Sequence, residues 1–278
     1  MAINYATKYA SKVAERFHKA SLTDPAAGKD YSFIGAQTIV VSSVDVVPLV
    51  DYNRTAAGNR FGVPTNLGDT KQELTMGQDK SFAFSIDAGD NSDQAIEKSA
   101  GRALRRQTDE VVIPYIDKHR LSKWAAGAGS IVNGDGSALT KNSILPAIIN
   151  LGGELSNALV PEENRTLYIP IRNYSLLVQA DAIVQLDGGK GVQAVTNGIV
   201  GTIDRNKVIP VPDGWFPAGF EFMIKYKGCT VDPVKLQHYY IRKDAQGYDG
   251  PVVEGRVYFD SFVLDAKKAG LGVYKLGG

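Results

Sequence analysis

The sequence is poor in the residues that build covalent or metal-held scaffolds. Its 278 residues include one cysteine, Cys229, so no disulfide can form within the chain. The three histidines, His18, His119 and His238, lie far apart and none adjoins the cysteine, which argues against a histidine-rich metal site. No run approaches the roughly 18 apolar residues of a membrane span. The longest candidate, Ile39 to Val50, is broken by Ser42, Ser43, Asp45 and Pro48. MAINYATKYASK at the start holds no apolar signal segment or myristoylation glycine, and the closing KLGG fits no lipidation motif. The expectation is a soluble protein with no membrane partner. An excess of one charge is also missing: 31 Lys+Arg stand against 30 Asp+Glu, a formal net charge of +1. That balance argues against a dedicated nucleic-acid binder and against an acidic disordered chain. What remains is ordinary globular composition, 44% hydrophobic and 22% charged, with 29 glycines that point to many turns. The length suits one or two domains with a sizeable core.

Residues 3–20 read as a short amphipathic helix, with Tyr5, Tyr9, Val13 and Phe17 recurring at i+4 among Lys8, Lys12, Glu15, Arg16 and Lys19. Alone such a helix is marginal in water and needs a partner surface. TDPAAGKD (Thr23 to Asp30) reads as its breaker and the start of a flexible arm. QTIVVSSVDVVPLV (Gln37 to Val50) and the alternating SFAFSIDAG (Ser81 to Gly89) read as strands. Between them, Asp51 to Thr70 has little to bury and is longer than an ordinary loop. The region reads as a long β-hairpin arm with a projecting tip, and such an arm calls for an intermolecular contact.

From Ser92 to about Ala126 the pattern is helical, capped at Asn91 and kinked at Pro114. GAGSIVNGDGS (Gly127 to Ser137) reads as a plain turn cluster. Residues 139–230 read as an α/β or α+β unit. Helix is expected at Lys141 to Leu159, a strand at Thr166 to Ile171 and helix at Arg172 to Ala182. The turn LDGGKG leads to strands at Gly198 to Val211 and Gly219 to Tyr226. The closing GPVVEGRVYFDSFVLDAKKAGLGVYK reads as two or three antiparallel strands.

No catalytic signature accompanies this layout. GKGVQA (Gly189 to Ala194) matches G-x-G-x-x-A, but VTNGIVGTI follows where a dinucleotide site needs a helix N-terminus. Gly191 stands where a P-loop needs Ser or Thr. No G-x-S-x-G, H-E-x-x-H, C-x-x-C or EF-hand loop is present. Asp109 and Glu110 beside Arg105 and Arg106 read as an i,i+4 charged face. His119 suits a structural role near a helix end better than a catalytic one, and Cys229 reads as a semi-buried small residue. Asn53-Arg54-Thr55 and Asn164-Arg165-Thr166 match the glycosylation pattern by chance. No catalytic, cofactor-binding or metal-ligating residue is singled out. Lys98, Arg102, Arg105 and Arg106 form a basic helical patch for nucleic acid or an acidic neighbour, or simply a solvated face. Arg54, Arg60, Lys71 and Lys80 on the arm would anchor it on a neighbouring subunit, or guard an edge strand against aggregation.

The order of elements resembles the major capsid protein of tailed bacteriophages, the Hong Kong phage-type coat fold. INYATKYASKVAERF, DYNRTAAGNRFGVPTNLGDTKQELTMGQDKSFAFSIDAGDN, GRALRRQTDEVVIPYIDKHR and EGRVYFDSFVLDAKKAGLGVY carry the resemblance, which covers nearly the whole chain. It implies an α+β fold with an N-terminal arm (1–35), an extended β-hairpin loop (36–89), a peripheral domain with a spine helix (90–138 and 226–278) and an axial α/β domain (139–225). It implies a non-enzymatic shell protein that builds hexamers and pentamers of an icosahedral head around double-stranded DNA. No cofactor is implied. The expected partners are other copies of the chain, a separate scaffolding protein, a portal, decoration proteins and non-specifically held DNA. Inter-subunit contacts are expected at Tyr5, Tyr9, Phe17, Arg54, Arg60, Lys71, Lys80, Arg102, Arg105 and Arg106. Lys190, in the expected capsomer-centre loop Asp187 to Val192, belongs with them. No covalent Lys–Asn cross-link is expected. An encapsulin-like compartment on the same fold, a small α+β enzyme and a phage tail component are the competing readings.

Overall fold

The computed structural model describes residues 21–31, 37–86, 100–180, 200–242 and 246–277. The helix expected over residues 3–20, the start of the helix expected from Ser92, and the GKGVQA segment lie outside the described residues. In chain order the main elements are β1 (Thr38–Val44), β2 (Asp69–Thr75), β3 (Gln78–Ser85), α1 (Ala100–Gln107), α2 (Ile113–Ala126) and β4 (Ser130–Asn133). Then come α3 (Ile144–Asn157), β5 (Arg165–Pro170), α4 (Ile171–Gln179), β6 (Gly201–Ile203), β7 (Asn206–Val211) and β8 (Phe220–Tyr226). The chain closes with β9 (Thr230–Val231), β10 (Val234–Arg242), β11 (Val252–Phe259), β12 (Phe262–Val263) and β13 (Leu271–Lys275). The expected α+β class is what the chain adopts.

A six-stranded mixed sheet in the order β4-β13-β8-β5-β7-β6 forms the main core. Strand alternation sorts its side chains onto two faces. Tyr168, Ile209, Val211, Met223, Leu271 and Val273 point to one face and pack against Leu121, Trp124 and Ala125 of α2. Leu167, Ile169, Val208, Phe222, Ile224 and Tyr274 point to the other and pack against α3 and α4. In α3 the wholly buried residues are Ile144, Ile148, Leu151 and Leu155, a spacing that keeps one stripe on the sheet. The carbonyl end of α3 is capped by Arg165, which donates to Pro161 O (2.9 Å), Gly152 O (3.3 Å) and Val160 O (2.5 Å). Two of these carbonyls lie just past the helix and the third, Gly152 O, also accepts Ser156 Oγ (3.1 Å), so Arg165 ties the chain beyond α3 back onto its last turns.

A second, three-stranded sheet, β10-β11-β3, lies under the long helix, where Val112 and Ile116 meet Val257 and Phe259. That helix is continuous through a π-helical turn, Thr108–Val112, in which Ile113 N–H donates to Thr108 O, five residues back. The wide turn falls immediately before Pro114. So the irregularity expected at the proline takes the form of an i→i−5 turn.

Four expectations are corrected. The TDPAAGKD segment is not a flexible arm: Leu22, Thr23, Ala26 and Ala27 are buried between the sheet and α2. Asp117, itself wholly buried, accepts Ser21 Oγ (2.7 Å), Leu22 N (2.8 Å) and Thr23 Oγ1 (2.5 Å). Lys225, under the Trp124 ring face at 4.4 Å, donates to the Ala26 carbonyl. Small residues serve here because the strap is threaded through a filled core. Second, the partner of β1 is β2, and Ser81 to Ser85, expected as the returning strand, pairs with β11 in the other sheet. Third, the expected plain turn at Gly127 to Ser137 contains β4, paired in parallel with β13. Fourth, the closing strands separate: β11 joins β3, β12 joins β9, and β13 enters the six-stranded sheet.

Candidate functional site

Among the described residues, the segment with the most exposed apolar side chains is the hairpin tip, residues 45–68 between β1 and β2. It is an ordered miniature. Asp45 N–H donates to Gly68 O (3.0 Å) and Asn53 N–H to Arg60 O (3.0 Å), closing it at two levels. Asn53 Oδ1 accepts Thr55 N–H (3.0 Å), Thr55 Oγ1 (2.9 Å) and Ala56 N–H (3.2 Å), an Asx turn. Tyr52 and Phe61 meet edge to face, 5.0 Å between ring centres. Gly62 takes φ +82°, a region that glycine enters without the clash a Cβ would bring.

Among the residues this miniature presents to solvent are many large apolar ones. Leu49 is wholly exposed, Val46 is 92% exposed, Phe61 84% and Val63 79%. Val47, Val50 and Leu67 join them. So many exposed large apolar side chains on one short segment suit a surface that another macromolecule covers. The composition of Asp51 to Thr70 pointed to a tip with little to bury. The structure adds that the apolar residues flanking it, from Val44 to Val50, are exposed too.

The root of the hairpin is fixed firmly. Ile39 and Val41 of β1 and Leu74 of β2 pack with Met76, Val231, Leu264, Tyr258 and Phe262. Gln72 spans the joint, donating from Nε2 to Val263 O (2.9 Å) and accepting Asp265 N–H on Oε1 (3.1 Å). Gly77, just past β2, donates its N–H to Asp260 Oδ2 (2.8 Å). His119 Nε2 lies 2.9 Å from Asp260 Oδ1, and its ring stands edge-on to Phe259 at 5.4 Å. Burial pushes the Asp260 carboxyl up. The hydrogen bonds from His119 and from the Ser261 and Gly77 N–H groups outweigh it and hold the group below its ordinary value. His119 therefore braces the hairpin root, a structural role whose partner is too far along the sequence to have been foreseen.

The residues singled out in the sequence do not converge on one spot. Arg54 is exposed on the tip. Arg60, also there, turns Nε back to Ala56 O (3.0 Å). Lys71 is on β2 beside Asp69 (3.5 Å). Lys80 is not on the hairpin: it stands on β3, 5.8 Å from the Tyr115 ring centre, because β3 belongs to the second sheet. On the long helix Arg102 is exposed, while Arg105 pairs with Asp109 (3.8 Å) and Arg106 with Glu110 (2.7 Å) at i,i+4. Tyr5, Tyr9, Phe17 and Lys190 lie outside the described residues.

A cavity of about 220 Å³ between the long helix and the second sheet is lined chiefly by apolar groups, among them Phe82, Val111, Val112, Tyr115 and Phe259. A shallower groove of about 560 Å³ crosses the sheet's other face, where Arg242 pairs with Glu254 (3.0 Å). Lys225 and Cys229 line neither one. Burial lowers the Lys225 ammonium against the pull of Asp232, and burial raises the Cys229 thiol, which donates to Tyr226 O (2.8 Å). Cys229 is fully buried, more so than expected. Among the described residues no group of three or more His, Cys, Asp or Glu side chains could hold a metal ion.

No family model and no curated protein matches the chain. Solved structures do. A chain from Mycobacterium phage Che8 superposes with a TM-score of 0.78 at 15% identity, over 99% of this chain and 98% of that one. The capsid structure of the cyanophage P-SCSP1u gives 0.75 at 13% identity, over 99% and 93%. The mature capsid of bacteriophage PhiM1 gives 0.72 at 9% identity, over 98% and 92%. At these identities the likeness is one of fold, and it spans both chains almost end to end.

Proposed function

We propose that this chain is the major capsid protein of a tailed bacteriophage, a structural and not a catalytic component of the virion. One observation carries the reading. A chain that matches phage capsid subunits in fold over nearly its whole length holds out a hairpin whose apolar tip has no cover among the described residues. Many copies of that contact, each weak, close an icosahedral shell around double-stranded DNA. The near-zero net charge suits non-specific, indirect contact with the DNA.

On this reading residues 1–35 are the N-terminal arm and 36–89 the extended loop. Residues 90–138 with 226–278 form the peripheral domain, and 139–225 the axial domain around the centres of hexamers and pentamers. Tyr5, Tyr9 and Phe17 of the arm, Arg54, Arg60 and Lys71 of the hairpin, and Lys80, Arg102, Arg105, Arg106 and Lys190 of the body lie at subunit boundaries. A separate scaffolding protein guides assembly in the host cytoplasm, and a portal and decoration proteins complete the head.

Electron microscopy of the purified protein, with sedimentation velocity on the same sample, tests the reading. Closed shells or hexamer sheets are expected, from the chain alone or once a scaffolding protein is co-expressed. Tubes, or a discrete small oligomer under both conditions, would refute it.

A further inference from the structure

The N-terminal strap and the root of the hairpin are held by one buried polar network. The strap ends at Gly28, whose N–H donates to Asp232 Oδ2 (2.9 Å) and whose carbonyl accepts Asp232 N–H (2.9 Å). The hairpin ends at Gly77, whose N–H donates to Asp260 Oδ2 (2.8 Å). Ser261 joins the two carboxylates. Its Oγ donates to Asp232 Oδ1 (2.5 Å) and its N–H to Asp260 Oδ1 (2.9 Å). Trp124 Nε1 (2.9 Å) and Thr230 Oγ1 (2.6 Å) complete the donors around Asp232, and His119 those around Asp260.

Asp232, Asp260 and Ser261 are all at least 95% buried, at 3%, 5% and 2% exposure. A buried carboxylate is tolerable only while its oxygens are filled by donors. Losing one donor costs the desolvation of the exposed lone pair and weakens the others, because the bonds polarise one another. The strap and the hairpin root therefore draw on neighbouring acceptors that share a single bridging residue.

We propose that Asp232, Ser261 and Asp260 form a relay that couples the N-terminal strap to the root of the hairpin, so that loosening either segment loosens the other. The coupling is a property of the subunit. Its use, passing the engagement of one arm with a neighbour to the other arm, rests on the shell reading above.

Amide hydrogen exchange of the full-length chain, read by mass spectrometry with variants and wild type in the same assembly state, measures it. Ser261→Ala removes the hydroxyl that holds Asp232 and keeps the N–H that holds Asp260, which breaks the bridge at one end. It should speed exchange about fivefold or more both in residues 22–28 and in residues 69–77. Gln72→Ala cuts two hairpin bonds outside the relay and should speed residues 69–77 alone. Asp260→Asn probes the relay from the other end and should speed residues 22–28, which Asp260 does not touch. Ser261→Ala acting on the strap alone, or Asp260→Asn acting on the hairpin alone, would overturn the relay. The readout needs no shells, so its failure leaves the capsid reading standing, and a failure to form shells leaves the relay standing.

Discussion

Leu155 packs directly onto the backbone of Gly272: a Cβ built on that glycine would stand 2.5 Å from Leu155 Cδ1 and 2.9 Å from Leu151 Cδ1. The stripe of α3 thus sits closer to β13 than any side chain on the strand would allow. Gly272→Val should lower stability by about 1–3 kcal/mol or more through overpacking. Leu155→Ala should lower it by about 2–5 kcal/mol through the cavity it leaves. Together the two changes should cost less than their sum, because each relieves the defect of the other. Urea denaturation of the four proteins checks this, and strict additivity would mean that the helix does not rest on Gly272.

The strap gives a sharper steric test. A Cβ on Gly28 would fall 1.7 Å from Thr230 O, a backbone atom that cannot step aside. Gly28→Val should therefore cost about 3 kcal/mol or more, in the range reserved for core disruption. Gly58→Val, on the hairpin tip where nothing lies within 4 Å, should change the unfolding midpoint little. Equal, small effects would return the strap to the flexible arm that its composition suggested.

Acid should act through Asp260. Its folded pKa lies below its ordinary value, so the unfolded chain binds the proton more readily. Its contribution to stability is then fully present above about pH 4 and is lost as pH falls through the lower folded value. Asp24 and Asp79 share the sign. Burial pushes Asp24 up, but Lys29 and Arg120 outweigh it, and the Arg256 hydrogen bond holds Asp79 down. Asp260→Asn should flatten the fall in denaturation midpoint between pH 5 and pH 2 without abolishing it. An unchanged acid slope would remove Asp260 from the account.

Where the sequence was legible, one element's own pattern sufficed. The helix expected at Lys141 to Leu159 falls within a turn of the ends of α3, and the strands expected at Thr166 to Ile171 and Gly219 to Tyr226 fall within a residue of β5 and β8. Where it was not, the deciding contact lay elsewhere in the chain. DTKQELT of β2 is polar at every position except Leu74, because the rest of the strand edges a projecting hairpin. SIVN of β4 was hidden among glycines and is a strand only because β13 lies beside it. The hairpin of β6 and β7 turns on Asp204 and Arg205, both at positive φ, with no glycine to announce the turn. The candidate site was half visible. Its length and polarity marked a projecting arm, but Lys80 was assigned to it only because β3 was taken for the returning strand.

The hairpin tip is where fold and function separate most cleanly. Its apolar residues from Val46 to Leu67 lie in solvent, and Val44↔Asp69 is the outermost pair of the β1–β2 ladder. Replacing residues 45–68 by Asn-Gly should close that ladder with a two-residue turn suited to it. Nothing in the hairpin root is touched, so the circular dichroism spectrum and the denaturation midpoint should stay close to wild type. Shell formation should be lost, because the covered patch is gone from every copy. Leu49→Asp and Phe61→Asp should weaken assembly in the same direction while keeping the tip in place, since a charge in the covered patch must be desolvated without a partner. Normal particles from the shortened chain would show that the tip is ornamental and that the shell closes on other surfaces. Loss of the fold along with the shell would instead put the tip in the subunit's own core, against its exposure.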